Sequence, residues 1–141
     1  MAYSGFFHAR PGPPQTLLLV EDDPLLAAAV IQYAEEEGYA VDGPYTRSSE
    51  AEAAIAAHSP TAALIDYRLA DGDRGDAVAR LLHRQAIPFA LVTASEDHEV
   101  KGLCTQYGCQ MVRKPVDDRV LDETFDFLMT GPAAHQAMTG D

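Results

Sequence analysis

Five residues spread along this chain are of types suited to one reaction. Glu21 and Asp22, Asp66, Thr93 and Lys114 each follow a short apolar run. Leu17-Leu18-Leu19-Val20 leads into the acidic pair, Ala62-Ala63-Leu64-Ile65 into Asp66, Phe89-Ala90-Leu91-Val92 into Thr93, and Met111-Val112-Arg113 into Lys114. If these ends converge, the carboxylates cannot all stay ionised unaided. Two of them about 4 Å apart repel by roughly 4 kcal/mol at an effective dielectric near 20. Either a proton is shared or a divalent cation sits among them. An all-oxygen site that leaves room for water suits Mg2+, which commonly bridges to phosphate. Lys114 adds a point positive charge and Thr93 a hydroxyl. Together these groups fit phosphoryl transfer, where positioning and charge neutralisation dominate, with Asp66 as the nucleophile.

Something must bring the four ends together. Unbroken apolar runs of this length suit strands buried on both faces of a parallel sheet, and in such sheets the reactive groups sit beyond the strands' carboxyl ends. The intervening segments carry helical signals. Asp23-Pro24 reads as an N-cap and first helical residue, followed by Leu26, Val30, Tyr33 and Ala34 on one face and Gly38 as the stop. Tyr39-Ala40-Val41 is a short second strand. Ser49 with Glu52 suggests a capping box for a helix over 49–58. A polar loop, 70–75, precedes a helix over 76–85 that turns Val78, Leu81 and Leu82 inward. Ser95 can cap a helix reaching Tyr107, with Gly102 in its middle and Gly108 after its end. The last helix is expected over 117–129, burying Val120, Leu121, Phe125 and Leu128. Strand and helix thus alternate five times, which predicts an α/β fold with helices on both faces of a parallel sheet.

The chain has 141 residues, 47% of them hydrophobic, enough for one domain with a real core. No apolar run approaches a membrane span, and the N-terminus carries no basic region followed by an apolar core, so a cytoplasmic protein is expected. With 22 acidic residues against 10 Lys and Arg, the net charge is −12, and the basic residues form no stripe. That balance opposes nucleic-acid binding, which rests on neutralising phosphates. Cys104 and Cys109 form a C-x4-C spacing with no second pair, poor for zinc, so two reduced thiols are expected. Residues 1–15, with Pro11, Pro13 and Pro14, read as a flexible arm, 16–129 as the domain and 130–141 as a flexible tail. In the arm, Phe6 and Phe7 could dock on a partner or a second copy, which leaves a homodimer open.

The segments LLLVEDDP (17–24), ALIDYRL (63–69), LVTA (91–94) and RKP (113–115) resemble, in order and spacing, the receiver domains of bacterial two-component response regulators. The resemblance implies a flavodoxin-like (βα)5 fold of strand order 2-1-3-4-5. It makes Asp66 the phosphoacceptor, and Glu21, Asp22, Asp66 and the backbone carbonyl of Arg68 the Mg2+ ligands. Thr93 becomes the hydroxyl that bonds the phosphoryl oxygen, Lys114 the cation beside it, and Pro115 the turn residue after a cis bond. It implies a phosphohistidine donor, either a histidine kinase or a histidine phosphotransfer protein, and a downstream protein target. Pro88–Thr93 is similar to stand-alone receivers with a PFxFATG-type fourth strand, although Ala94 replaces the glycine. Since the chain leaves no length for a DNA-binding output domain, a relay intermediate, phosphate sink or protein-binding switch is expected, not a turnover enzyme.

The sequence departs from the family at informative places. Met111 stands where the family often has the aromatic switch residue that moves with the hydroxyl. Arg68 and Ser95, two residues beyond Asp66 and Thr93, are expected at the pocket mouth, tuning access of water. Two other readings remain. One is a degenerate receiver that only binds partners. The other is a Mg2+-dependent phosphohydrolase with an aspartyl nucleophile, which would want a second Asp where Arg68 stands.

Overall fold

The computed structural model describes residues 15–138, so the expected arm, Gln15 aside, and residues 139–141 of the tail lie outside it. Five strands are present: β1 (Gln15–Val20), β2 (Tyr39–Tyr45), β3 (Ala62–Asp66), β4 (Phe89–Thr93) and β5 (Gln110–Arg113). Alternating with them are α1 (Pro24–Glu36), α2 (Ser48–Ala57), α3 (Asp76–Arg84), α4 (His98–Tyr107) and α5 (Asp118–Met138). A short 3-10 turn, Ala70–Gly72, precedes α3. All strand pairs are parallel and the order is 2-1-3-4-5, the flavodoxin-like arrangement.

The apolar runs show no alternation in sequence because both faces of the sheet are covered, yet the strands still alternate in space. Leu18, Val20, Ala63, Ile65, Phe89 and Leu91 face one core, closed by Ala51 and Ile55 of α2, Val78 and Leu82 of α3 and Val100 of α4. Their neighbours Leu17, Leu19, Ala62, Leu64, Ala90 and Val92 face the other core. That one is closed by Ala27, Val30 and Ala34 of α1 and by Leu121, Phe125 and Leu128 of α5. Phe125 anchors the second core, its ring 5.0 Å from Tyr33 and 5.4 Å from Tyr39. Tyr33 also hydrogen-bonds Asp122, tying α1 to α5.

Several local expectations change. Asp23 caps α1 as read, accepting from Leu25 N at 3.0 Å. The Ser49–Glu52 box does not form. The helix starts at Ser48, and its first turn is held from outside by Asp73, which accepts from Ser48 N at 2.7 Å and Ser48 Oγ at 2.6 Å. Nor does Ser95 cap α4. Asp97 does, accepting from Glu99 N and Val100 N, because the chain extends two residues further before turning. Strand β2 runs on to Tyr45, pairing with Val20 beyond an irregularity, through a cis Gly43–Pro44 bond. The last helix passes 129 and continues to Met138, where Ala133, Ala134, Gln136 and Ala137 all favour helix.

Candidate functional site

Register brings the four strand ends side by side. Ile65 pairs with Val20, Asp66 with Val92, and Thr93 with Arg113. Beyond the ladder, Tyr67 N donates to Val92 O at 3.0 Å, Lys114 N to Thr93 O at 2.9 Å, and Glu21 N to Tyr45 O at 2.9 Å. The backbone of every loop carrying a candidate group is therefore tied to its neighbour before any side chain acts.

Among the described residues, Glu21, Asp22 and Asp66 offer carboxylate oxygens that all lie within 4.8 Å of one another. Glu21 and Asp66 are buried, whereas Asp22 is exposed. Lys114 Nζ lies 3.2 Å from Asp66 Oδ2 and 3.8 Å from Glu21 Oε2. Glu21 Oε2 also accepts from Asp23 N at 3.0 Å, which fixes its rotamer. Burial pushes the Glu21 carboxyl up to about 7, helped by the charge of Asp66 and opposed by the Asp23 amide and Lys114. Burial likewise raises Asp66, against the pull of Glu21 and Lys114. Lys114 loses some basicity to its own burial but is raised overall by Asp66 and Glu21. The all-oxygen donor set with surplus negative charge is what a hard divalent cation requires. Glu21, Asp22 and Asp66 are the side chains that would hold one.

The raised Glu21 has a consequence for stability. Between its ordinary value of 4.5 and about 7, the folded chain binds a proton that the unfolded chain has released. Stability is thus highest below pH 4.5 for this group's share and falls as pH rises through 7. Asp66, also raised, acts in the same direction. In chelator, urea unfolding of Glu21→Gln should show a shallower decline from pH 5 to 8, leaving the variant of order 1–3 kcal/mol more stable at pH 8. Parallel curves for variant and wild type would refute it.

Thr93 is buried at the end of β4, and its hydroxyl donates to the Ser95 carbonyl at 3.3 Å, within its own loop. Met111 is half-buried in β5 and packs on the core beneath α4. The Lys114–Pro115 bond is cis, as the resemblance implies. The Arg68 side chain turns toward the start of α4: Nε meets Asp97 Oδ2 at 2.9 Å and Nη2 meets Glu99 Oε1 at 3.2 Å. The Arg68 guanidinium holds Asp97 below the usual carboxylate range.

Four residues in this clasp, Tyr67, Arg74, Asp97 and Glu99, escape sequence reasoning. Tyr67, fully buried, donates its hydroxyl to Glu99 Oε2 at 2.8 Å, and this bond is the main cause of Glu99's lowered pKa. Arg74 Nη1 reaches the same Glu99 oxygen at 3.5 Å. Asp97, Glu99 and Arg74 look like ordinary surface charges in sequence, since nothing local shows that the loops after β3 and β4 meet. Tyr67 had one available signal, a large ring directly after the strand-end Asp66.

Residues 17–126 match the family described as the response regulator receiver domain. Among solved structures, the chain is similar to a CheY-like response regulator receiver domain protein from Methanospirillum hungatei JF-1. The identity is 25%, covering 81% of this chain and 92% of that one at a TM-score of 0.71. The signal receiver domain of a modulated diguanylate cyclase from Desulfovibrio desulfuricans G20 is also 25% identical, with 92% and 100% covered and a TM-score of 0.70. The response regulator PhyR from Brucella abortus is 27% identical. There the match covers 99% of this chain but 56% of that longer one, at a TM-score of 0.72. With four matching strand-end motifs, the 2-1-3-4-5 sheet and a family match over most of its length, the chain belongs to the response regulator receiver domains of two-component signalling.

Proposed function

We propose that this receiver accepts a phosphoryl group on Asp66 from the phosphohistidine of a histidine kinase or histidine phosphotransfer protein, in the cytoplasm. The observation that carries this reading is the buried Asp66 carboxylate, clustered within 4.8 Å of Glu21 and Asp22 and paired at 3.2 Å with Lys114. An Asp66 oxygen attacks phosphorus, the P–N bond breaks, and its electron pair goes to the departing imidazole nitrogen. Glu21, Asp22, Asp66 and the Arg68 carbonyl would hold Mg2+, which would supply charge neutralisation for the phosphoryl oxygens. Lys114 stays beside the new group as its fixed cation. The Thr93 hydroxyl exchanges its Ser95 bond for a phosphoryl oxygen.

Phosphorylation adds about two negative charges and strong acceptor oxygens. It biases an existing equilibrium between two arrangements of the loop after β4, α4 and β5. Half-buried Met111, an unbranched and adaptable side chain, repacks where the family often turns an aromatic ring. The output is a changed contact with a downstream protein, or passage of the phosphoryl group along a relay. An acidic chain with scattered basic residues fits a protein partner better than nucleic acid. An aspartyl phosphohydrolase would need an acid–base group two residues after Asp66, and Arg68 there is paired with Asp97 and Glu99.

Two measurements test this. Acetyl phosphate with Mg2+ should label the chain once, at Asp66; no labelling would leave a receiver that only binds partners. Beryllofluoride with Mg2+ should change amide exchange in residues 95–113 more than in α1 or β2. Unchanged exchange across 95–113 would remove the proposed switch while leaving phosphoacceptance standing.

A further inference from the structure

Two thiols lie outside the acidic pocket and take no part in its chemistry. Cys104 is in the last turns of α4, and Cys109 immediately precedes β5. Between them the chain reverses at Gly108, whose φ of 72° is left-handed, and Gly108 N donates to Cys104 O at 2.9 Å. This turn brings the two sulfur atoms to 3.0 Å, with the Cys109 thiol donating to Cys104 Sγ. A disulfide at ~2.05 Å is about 1 Å closer, a distance that small side-chain rotations cover. Cys109 is buried in the core under α2, α3 and α4, while Cys104 is half-buried at its edge. The pair is chemically unequal. The bond from Cys109 pulls the Cys104 thiol down, while the same bond and burial push the Cys109 thiol up. The more accessible sulfur is thus also the one that more readily becomes a thiolate, which is the reactive form.

We propose that Cys104 and Cys109 form a reversible thiol–disulfide site, oxidised by a hydroperoxide, that staples the end of α4 to the start of β5. The Cys104 thiolate attacks one peroxide oxygen and the O–O bond breaks. The other oxygen leaves with the electron pair and takes a proton, giving water from hydrogen peroxide or an alcohol from an organic peroxide. Cys104 is then a sulfenic acid. The Cys109 sulfur attacks the Cys104 sulfur, the S–S bond forms, and the sulfenic hydroxyl leaves as water with the Cys109 proton. Two thiols have lost two electrons and the peroxide has gained them. A reducing dithiol restores both thiols by exchange, so in a reducing compartment the disulfide is a transient state. The staple closes the α4–β5 turn two residues before Met111 and five before Lys114. The thiol chemistry does not depend on phosphoacceptance by Asp66, so either can fail without the other.

Trypsin cuts after Lys101 and Arg113, so one peptide, 102–113, carries both cysteines. After brief hydrogen peroxide treatment of the full chain, that peptide should be lighter by two hydrogen atoms and return to its original mass with dithiothreitol. Oxidation of Met111 adds an oxygen instead and is read separately. Disulfide formation should be at least about tenfold faster in the folded chain than in urea, because the fold holds the sulfurs together. Cys109→Ser should stop Cys104 at the sulfenic acid, trapped by dimedone, and Cys104→Ser should leave Cys109 unreactive. Equal rates folded and unfolded, or Cys104 passing to sulfinic acid while Cys109 stays a free thiol, would overturn the proposal. The wild-type rates decide it even if the Cys109→Ser variant fails to fold.

Discussion

Asp66→Asn should lose labelling by acetyl phosphate by at least about a thousandfold, the scale on which removal of a covalent nucleophile acts. The substitution keeps size and shape, and an Asn oxygen can still accept from Lys114 Nζ, now 3.2 Å from Asp66 Oδ2. It also removes one of two buried carboxylates whose pKa values are both raised by burial. The variant should therefore fold, and in chelator near pH 8 it should be no less stable than wild type. Lys114→Ala retains the nucleophile but leaves the cluster short of a positive charge, so labelling should slow without vanishing. Phosphate-affinity electrophoresis and circular dichroism on the same samples separate lost chemistry from lost fold. Labelling of Asp66→Asn at the wild-type rate would place the acceptor elsewhere and end the phosphoacceptor reading.

The sheet and the ends of its strands were legible because burial on both faces forces long apolar runs, and a single polar residue closing such a run stands out. Asp66 after Ala62–Ile65 is the clearest instance, and the parallel register follows from five alternations of strand and helix. What sequence reading misses is non-local. Ser49 and Glu52 satisfy a local capping rule, but the α2 terminus is served by Asp73 from a different loop. Ser95 and Asp97 are both good cap residues, and Arg68, far away in sequence, pairs with Asp97. The second strand, expected only over Tyr39–Val41, runs on through Gly43-Pro44 to Tyr45, although Gly-Pro usually interrupts strands. For the site, residue types suggested the carboxylates and the lysine. The orientation of Arg68 toward α4, and of Thr93 toward Ser95, needed coordinates.

Gly43→Ala should destabilise the fold far more than Gly38→Ala, and the reason is a close approach of β2 to the backbone of β1. At Gly43 φ is 129°, a conformation that side-chain-bearing residues rarely adopt, and an added Cβ would fall 2.4 Å from the carbonyl oxygen of Leu19. That oxygen belongs to the backbone of buried Leu19 in the inner strand β1, which is hydrogen-bonded between β2 and β3, so it cannot retreat. Strand β2 must move instead. Its outer end supplies Tyr45 O, the acceptor for Glu21 N, so the disturbance reaches the residue that lines the acidic cluster. Gly38 provides the control. It too has a left-handed φ, 93°, but nothing lies within 4 Å of its missing Cβ. Gly38→Ala should cost about 1–2 kcal/mol of backbone strain, and Gly43→Ala about 3 kcal/mol or more from strain plus collision. Urea midpoints measured side by side give the difference. If the two variants unfold together, the close approach of β2 to Leu19 does not constrain this fold. If Gly43→Ala alone also weakens Mg2+ binding, the positioning of Glu21 by the β1–β2 edge is established independently of its charge.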